Sequence, residues 1–458
     1  MTLRTPVSLL WFLNLLLAAS VASAQGVEPY PQAFTNRLFY PQTAMSPPGT
    51  NVPFADPDLG GVMVRVTDGN LNPKLPDSFF RNPPEDVNEW SMDDSKFFVS
   101  GASSTTMAFA FNPDTMTVSA LPGAGAGGGL SVPLRDGPTF SFTDPDLMYG
   151  TALNAPLQIA TYRFSTGKAQ TIYDTTMCGT QPPLVAGPKV SSVDVTISND
   201  DNRIVITAGG PAAGAEPFVI VYDQTLGCRW YNTETGQIGG QWGPTGQATT
   251  PDRFRTNHAK ISGNGQFSRI GVGSGGFYVW DVTSLNVTAC KDRGGPQCSG
   301  YSALGYDTYI NAPGFVDELN TYRRPLNDLT DWTPLINPLP QPYYTGMAKN
   351  FAWNDGRLDT SFPVCATLYS PKGDPDVKQP YDGEVVCIET DGIASTVWRF
   401  AHHRDIWAGK QFYWTLPYGN LSLDGRWFAF TSSWDEQLGT FWGESNAPRT
   451  DVFILKLQ

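Results

Sequence analysis

Only three histidines occur in the 458 residues, and two of them stand together in the stretch RFAHHR, residues 399–404. No Cys-x-x-Cys pair is present, which speaks against a zinc site or a haem attachment. Lysine and arginine nowhere form a run, and the formal charge is −13. Phosphate backbones are bound chiefly through clustered positive charge, so nucleic acid is not an expected partner. Beyond residue 24 there is no long uninterrupted apolar run, so no membrane span is expected in the mature chain. Long amphipathic helical patterns are missing too. So are a Gly-x-Ser-x-Gly elbow, a His-Glu-x-x-His pair and a phosphate-cradling glycine loop. The glycine run GAGAGGG, residues 123–129, precedes no helical pattern and reads as a loop.

What is present begins with one arginine, Arg4, an apolar run over residues 7–19 and the small residues Ala22-Ser23-Ala24. That is the plan of a secretory signal peptide spanning 1–24, and it predicts a secreted or periplasmic protein. Six cysteines, an even number, predict disulfides in such a compartment. Cys365 and Cys387 fall on consecutive strand-like segments and are expected to pair. Cys290 and Cys298 would clip one loop, which leaves Cys178 for Cys228.

Forty-six glycines and 38 prolines speak for short strands and turns. One phrase recurs: an apolar segment, a serine or threonine, a tight polar turn, and a second apolar segment. It appears as EWSMDDSKFFVSG (89–101), FSFTDPDLMYGTA (140–152), DVTISNDDNRIVITAG (194–209), HAKISGNGQFSRIGVG (258–273), NFAWNDGRLDTSFPV (350–364) and YGNLSLDGRWFAFTS (418–432). Each is a hairpin by its turn chemistry. Further strands follow most of them, and four antiparallel strands repeated in this way predict an all-β fold, a β-propeller. A degenerate unit near residues 300–336 brings the expected count to seven blades, with six as the alternative. The last unit, ending in TDVFILKLQ, lacks a fourth strand, whereas GVMVRVTDG (61–69) lacks a hairpin. Residues 61–67 are therefore expected to complete the last blade and close the ring. The expected organisation is a signal peptide (1–24), an extended arm (25–60) and one propeller domain (61–458).

The hairpin phrases, SLDGRWFAFTSSW above all, resemble the repeats of TolB-type bacterial propellers. The stretch VWRFAHHR…FYWTLPYGNLSLDGRWFAFTSSWD…RTDVFIL is similar to many exported bacterial propellers, and among those with known chemistry to the oligogalacturonate-lyase-like propellers. That resemblance implies a divalent metal held by histidines and a glutamine. His258 matches the histidine that precedes such a hairpin, and Gln411 matches the glutamine. Leu416 and Tyr418 stand where further imidazoles are needed. No cofactor is therefore expected; the candidate ligands of a metal would be His258, His402, His403 and Gln411.

In a propeller the inner strands begin on one face, the top. Asn88, Thr139, Asp194, His258, Asn350 and Tyr418 occupy equivalent strand-start positions and are expected to form a polar ring there. RFAHHR opens an outer-to-inner connection on the same face. Its His402, His403 and Arg404 join His258 as catalytic candidates, set against a structural role in which one ring bonds to the loop it begins. Adjacent residues of an extended segment point to opposite faces, so one histidine should face inward and the other outward. Trp407 and Trp414, in the long connection that follows, are candidates for stacking on sugar rings. Three functions follow: a binding module for a glycan or an exported protein partner through the top face, a lyase-like enzyme acting on acidic polysaccharide, or a purely structural assembly protein.

Overall fold

The computed structural model describes residues 29–70, 80–83, 87–101, 105–122, 131–135, 137–179, 195–209, 217–272, 276–290, 298, 302–312, 321–336, 348–353, 362–369, 379–392, 396–406, 416–440 and 448–458. The expected signal peptide, Asp194, Trp407, Gln411 and Trp414 lie outside these residues.

Among the described residues the chain forms seven antiparallel sheets and no α-helix. In chain order they are blade 1 (80–120), blade 2 (139–174), blade 3 (196–247), blade 4 (256–290), blade 5 (302–334), blade 6 (348–402) and blade 7 (419–456). The degenerate stretch near 300–336 is thus a full blade, and the count is seven. Blade 3 carries two further short strands, Gln237–Gly240 and Gly246–Gln247, that nothing in the hairpin phrase announces. Blade 7 takes its fourth strand from Val62–Arg65, which pairs Met63 with Leu455, Val64 with Ile454 and Arg65 with Phe453. Phe54–Ala55 adds a fifth. The N-terminal strand closes the ring.

The recurring phrase works through its serine. Ser91, Ser198, Ser262 and Ser422 each donate to the Asp or Asn two residues on, at 2.5–2.8 Å. Each also accepts the backbone N–H five residues on, at 2.9–3.1 Å. One hydroxyl thereby fixes both ends of the turn. Three residues past the serine the backbone is left-handed, at Asp94, Asp201, Gly265 and Gly425, where glycine and short polar residues are tolerated best. The two aspartates use their side chains there. Asp201 of blade 3 accepts Phe142 N–H at 2.9 Å and the hydroxyls of Ser141 and Thr143 on blade 2. Asp94 of blade 1 accepts Leu423 N–H of blade 7 at 3.2 Å, beside Asp424. Burial and the Asp424 carboxylate push the Asp94 pKa up to about 8.

Apolar clusters fill the gaps between neighbouring blades, as where Trp90, Phe97 and Phe111 of blade 1 meet Trp427 and Ile454 of blade 7. Trp90, Trp230, Trp280, Trp353, Trp398, Trp427 and Trp434 are all buried. The three disulfides are Cys178–Cys228, Cys290–Cys298 and Cys365–Cys387. The last joins residues directly opposite on paired strands. Such pairs form and persist in oxidising surroundings. No helix among the described residues is long and apolar enough to cross a membrane.

Candidate functional site

Strands alternate in direction within each blade, so inner strands begin and outer strands end on the face opposite the serine turns. His258 lies near the start of the inner strand Thr256–Ile261, and His402 ends the outer strand Val397–His402. They share a face but belong to blades 4 and 6. The structure gathers different partners around each.

At His258 a bulge interrupts the pairing between Thr256 and His258. The ring lies over Gly271, where an added Cβ would come within 2.4 Å of it. Its Nε2 is 2.9 Å from Arg269 Nη1. Burial, then the charges of Arg269 and Lys260, hold its pKa well below the ordinary imidazole value. The ring is therefore neutral and Nε2 accepts from the guanidinium. Arg269 stacks at 5.3 Å on Phe277 and 5.4 Å on Tyr309. Its buried Nε has no hydrogen-bond partner among the described residues, and none of the ion pairs among them includes it.

RFAHHR holds down residues 29–58, which run along blades 6 and 7. Arg399 pairs with Glu384 through two bonds, at 2.8 and 2.5 Å, both side chains fully buried. It also donates to the carbonyls of Asn36 and Leu38 at 3.0 and 2.7 Å. His402 gives its backbone N–H to Asp56 at 3.1 Å, and its Nε2 lies 3.1 Å from the Tyr40 carbonyl. Arg404 donates to the Thr43 carbonyl at 2.8 Å and stacks 5.2 Å from Trp434. Gly61 must be glycine here, because a Cβ would strike the Phe400 carbonyl at 2.3 Å.

His403 points the other way. Its Nε2 bonds the Leu368 carbonyl at 3.0 Å and its Nδ1 accepts Asp405 N–H at 3.0 Å. Burial pulls its pKa down to about 4, so it is a neutral ring fixed in one tautomer. Next to it burial pushes Asp405 up to about 7, against its bonds to Ser433.

The other residues expected at strand starts are not equivalent: Asn88 lies beyond the inner strand Phe80–Arg81 of its blade, and Asn350 is the third residue of Ala348–Ala352. Asn88 N–H bonds Thr139 Oγ1 at 3.1 Å, and both line a narrow cavity along the channel with Ile197, Ile261 and Trp353. Tyr418 is buried against Tyr369 and Leu416. Asn350 is fully buried, and neither amide atom has a partner among the described residues. Sequence reasoning missed Arg269, Asp405, Asp56 and Asp58. The last two sit in FADPDLGG, an Asp-turn signal readable as a turn only, since the partner His402 lies about 346 residues away.

No protein-family model matches the sequence, and no curated protein matches it. Among solved structures it is similar to the oligogalacturonate lyase of Vibrio parahaemolyticus, at 13% identity and TM-score 0.51, over 88% of this chain and 96% of that one. An oligogalacturonate lyase in complex with manganese is similar at 12% identity and TM-score 0.51, over 91% and 99%. The likeness is one of fold. It extends the distant resemblance of the last hundred residues to nearly the whole propeller.

Among the described residues, His258, Leu416 and Tyr418 do not form a ligand set for manganese. His258 turns Nε2 to a guanidinium, which would repel a cation at that atom. Leu416 and Tyr418 stand in an apolar cluster.

Proposed function

We propose that the protein is an exported propeller that binds acidic glycans on the face bearing His258. The observation that carries this reading is Arg269: a buried guanidinium whose polar partner is a neutral imidazole and which forms no ion pair among the described residues. Burying an unpaired charge is unfavourable. A uronate carboxylate supplies the missing anion with two-point geometry. Lys260 lies close enough to influence His258 and adds positive potential. An exported protein partner with an exposed carboxylate would meet the same guanidinium. Secretion or a periplasmic location belongs to the proposal and is supported by the N-terminal apolar run and three disulfides.

Affinity electrophoresis through gels containing polygalacturonate, alginate or neutral dextran tests this. Retardation by an acidic polymer, lost about tenfold or more in Arg269→Gln, is expected, since bonds to charged groups contribute about 1.5–3 kcal/mol. Equal mobility in all gels overturns it.

A second reading, lyase action on such glycans, is favoured by Asp405, a buried carboxyl with a pKa near neutrality beside His403. A group so tuned can take or give a proton at working pH. Appearance of unsaturated product, abolished in Asp405→Asn, would establish it.

A further inference from the structure

His402 is 1% exposed, and its Nδ1 has no hydrogen-bond partner. Two carboxylate oxygens face that atom, Asp56 Oδ2 at 3.5 Å and Asp58 Oδ2 at 3.4 Å. These separations are long for an N–H···O bond, which runs at about 2.7–3.2 Å. They match the edge of a tetrahedron, about 3.4 Å, when a central ion sits about 2.0–2.2 Å from N and O ligands. We propose that Asp56, Asp58 and His402 bind one divalent transition-metal ion, which pins residues 29–58 to the outer edge of blade 6.

The surroundings are arranged as around a metal. The Nε2 of His402 faces the Tyr40 carbonyl at 3.1 Å, which places one proton there and leaves Nδ1, between the two carboxylates, to hold a metal ion in place of a second proton. Asp56 is oriented by Asp58 N–H at 3.0 Å and Leu59 N–H at 2.8 Å on Oδ1, while Oδ2 accepts His402 N–H at 3.1 Å and lies 3.7 Å from Arg404 Nη2, too far for a hydrogen bond that would occupy it. Asp58 is oriented by Thr43, N–H at 2.8 Å and hydroxyl at 2.6 Å. Both carboxylates are thus set before any ion arrives. The neighbouring ion pairs set four carboxylates, Asp56, Asp58, Glu384 and Asp435, against two guanidiniums, Arg399 and Arg404. One nitrogen and two oxygens suit zinc or manganese; calcium takes about 6–8 oxygens. Asp58 is 14% exposed, so water has access to a fourth position. This site is separate from His258 and independent of the glycan reading.

The test uses full-length protein without a polyhistidine tag, stripped with EDTA and titrated calorimetrically with ZnCl2 and with MnCl2, with metal counted by elemental analysis. One ion per chain is expected. Asp58→Asn and His402→Gln should each weaken it by about 100-fold or more, and His258→Gln should leave it unchanged. Bound metal should also slow proteolysis within residues 29–58. Asp58 lies at the solvent edge and its asparagine keeps an acceptor for Thr43, so this variant reports on a folded chain. Absence of binding by the wild-type chain overturns the proposal. So does binding that survives both ligand substitutions or that is lost only in His258→Gln, which would place the ion in the channel.

Discussion

On the turn face, four blades use one bonding pattern: a serine, an acidic or amide residue two places on, and an N–H five places on. On the opposite face blades 4 and 6 have contacts of their own. Blade 4 sets an imidazole against a guanidinium, and blade 6 grips a segment from the other end of the chain. The serine bonds of the first face span two to five residues, whereas the grip of RFAHHR on the N-terminal segment spans more than 300. Repetition supplies the ring, and departures from it supply everything particular to this protein.

The comparison can be broken first at Arg399. Arg399→Leu leaves Glu384 buried without its partner and releases Asn36 and Leu38. A loss of about 3–5 kcal/mol is expected for breaking a buried pair, measured by urea unfolding, together with faster proteolysis of residues 29–58. A loss near that of an exposed pair, below about 1 kcal/mol, would show that the joining face does not depend on this contact. A smaller effect is expected on the turn face. Ser91→Ala and Ser262→Ala should each cost about 1–2 kcal/mol. Because the turns belong to separated blades, the double variant should be additive within about 0.5 kcal/mol. Unequal or coupled values would deny that the repeat is one device used again.

A pH-dependent effect is expected at Asp94, where the turn of blade 1 meets blade 7. Its carboxyl is neutral in the folded ring up to about pH 8, against an ordinary value of 3.8. Between those values the folded state holds a proton that the unfolded chain releases, so stability falls as pH rises through that window. Asp94→Asn keeps an acceptor for Leu423 N–H and suits a left-handed backbone. Its advantage over the wild type should grow from about pH 4 and level off above about pH 8. Melting curves across pH test this, and parallel curves for the two chains would refute it.

The fold was readable because its signals are local. SMDDS, SNDDN, SGNGQ and SLDGR carry the turn bonds within their own letters, and the missing strand of the last unit pointed to residues 61–67. The extra strands of blade 3 were not readable, since QIGG and GQ lack apolar alternation. The alternation rule anticipated that His402 and His403 would face opposite ways, and the loop bond at His403 was among the roles weighed. What RFAHHR grips was hidden, because Asn36, Leu38, Tyr40 and Thr43 offer backbone carbonyls that any sequence would present. Arg269 was hidden for another reason. An arginine inside SRIGV reads as a surface residue until neighbouring blades bury it.

Blade 7 joins Met63 to Leu455, partners 392 positions apart. Loop closure over such a span is slow compared with the formation of any single hairpin. Six sheets can therefore assemble in order as the chain emerges, but the circle stays open until residues 451–456 are available. Until then the N-terminal strand has an unfilled hydrogen-bonding edge, which is open to wrong pairing with a second copy. Completion therefore comes in one late step, the pairing of Met63, Val64 and Arg65 with Leu455, Ile454 and Phe453.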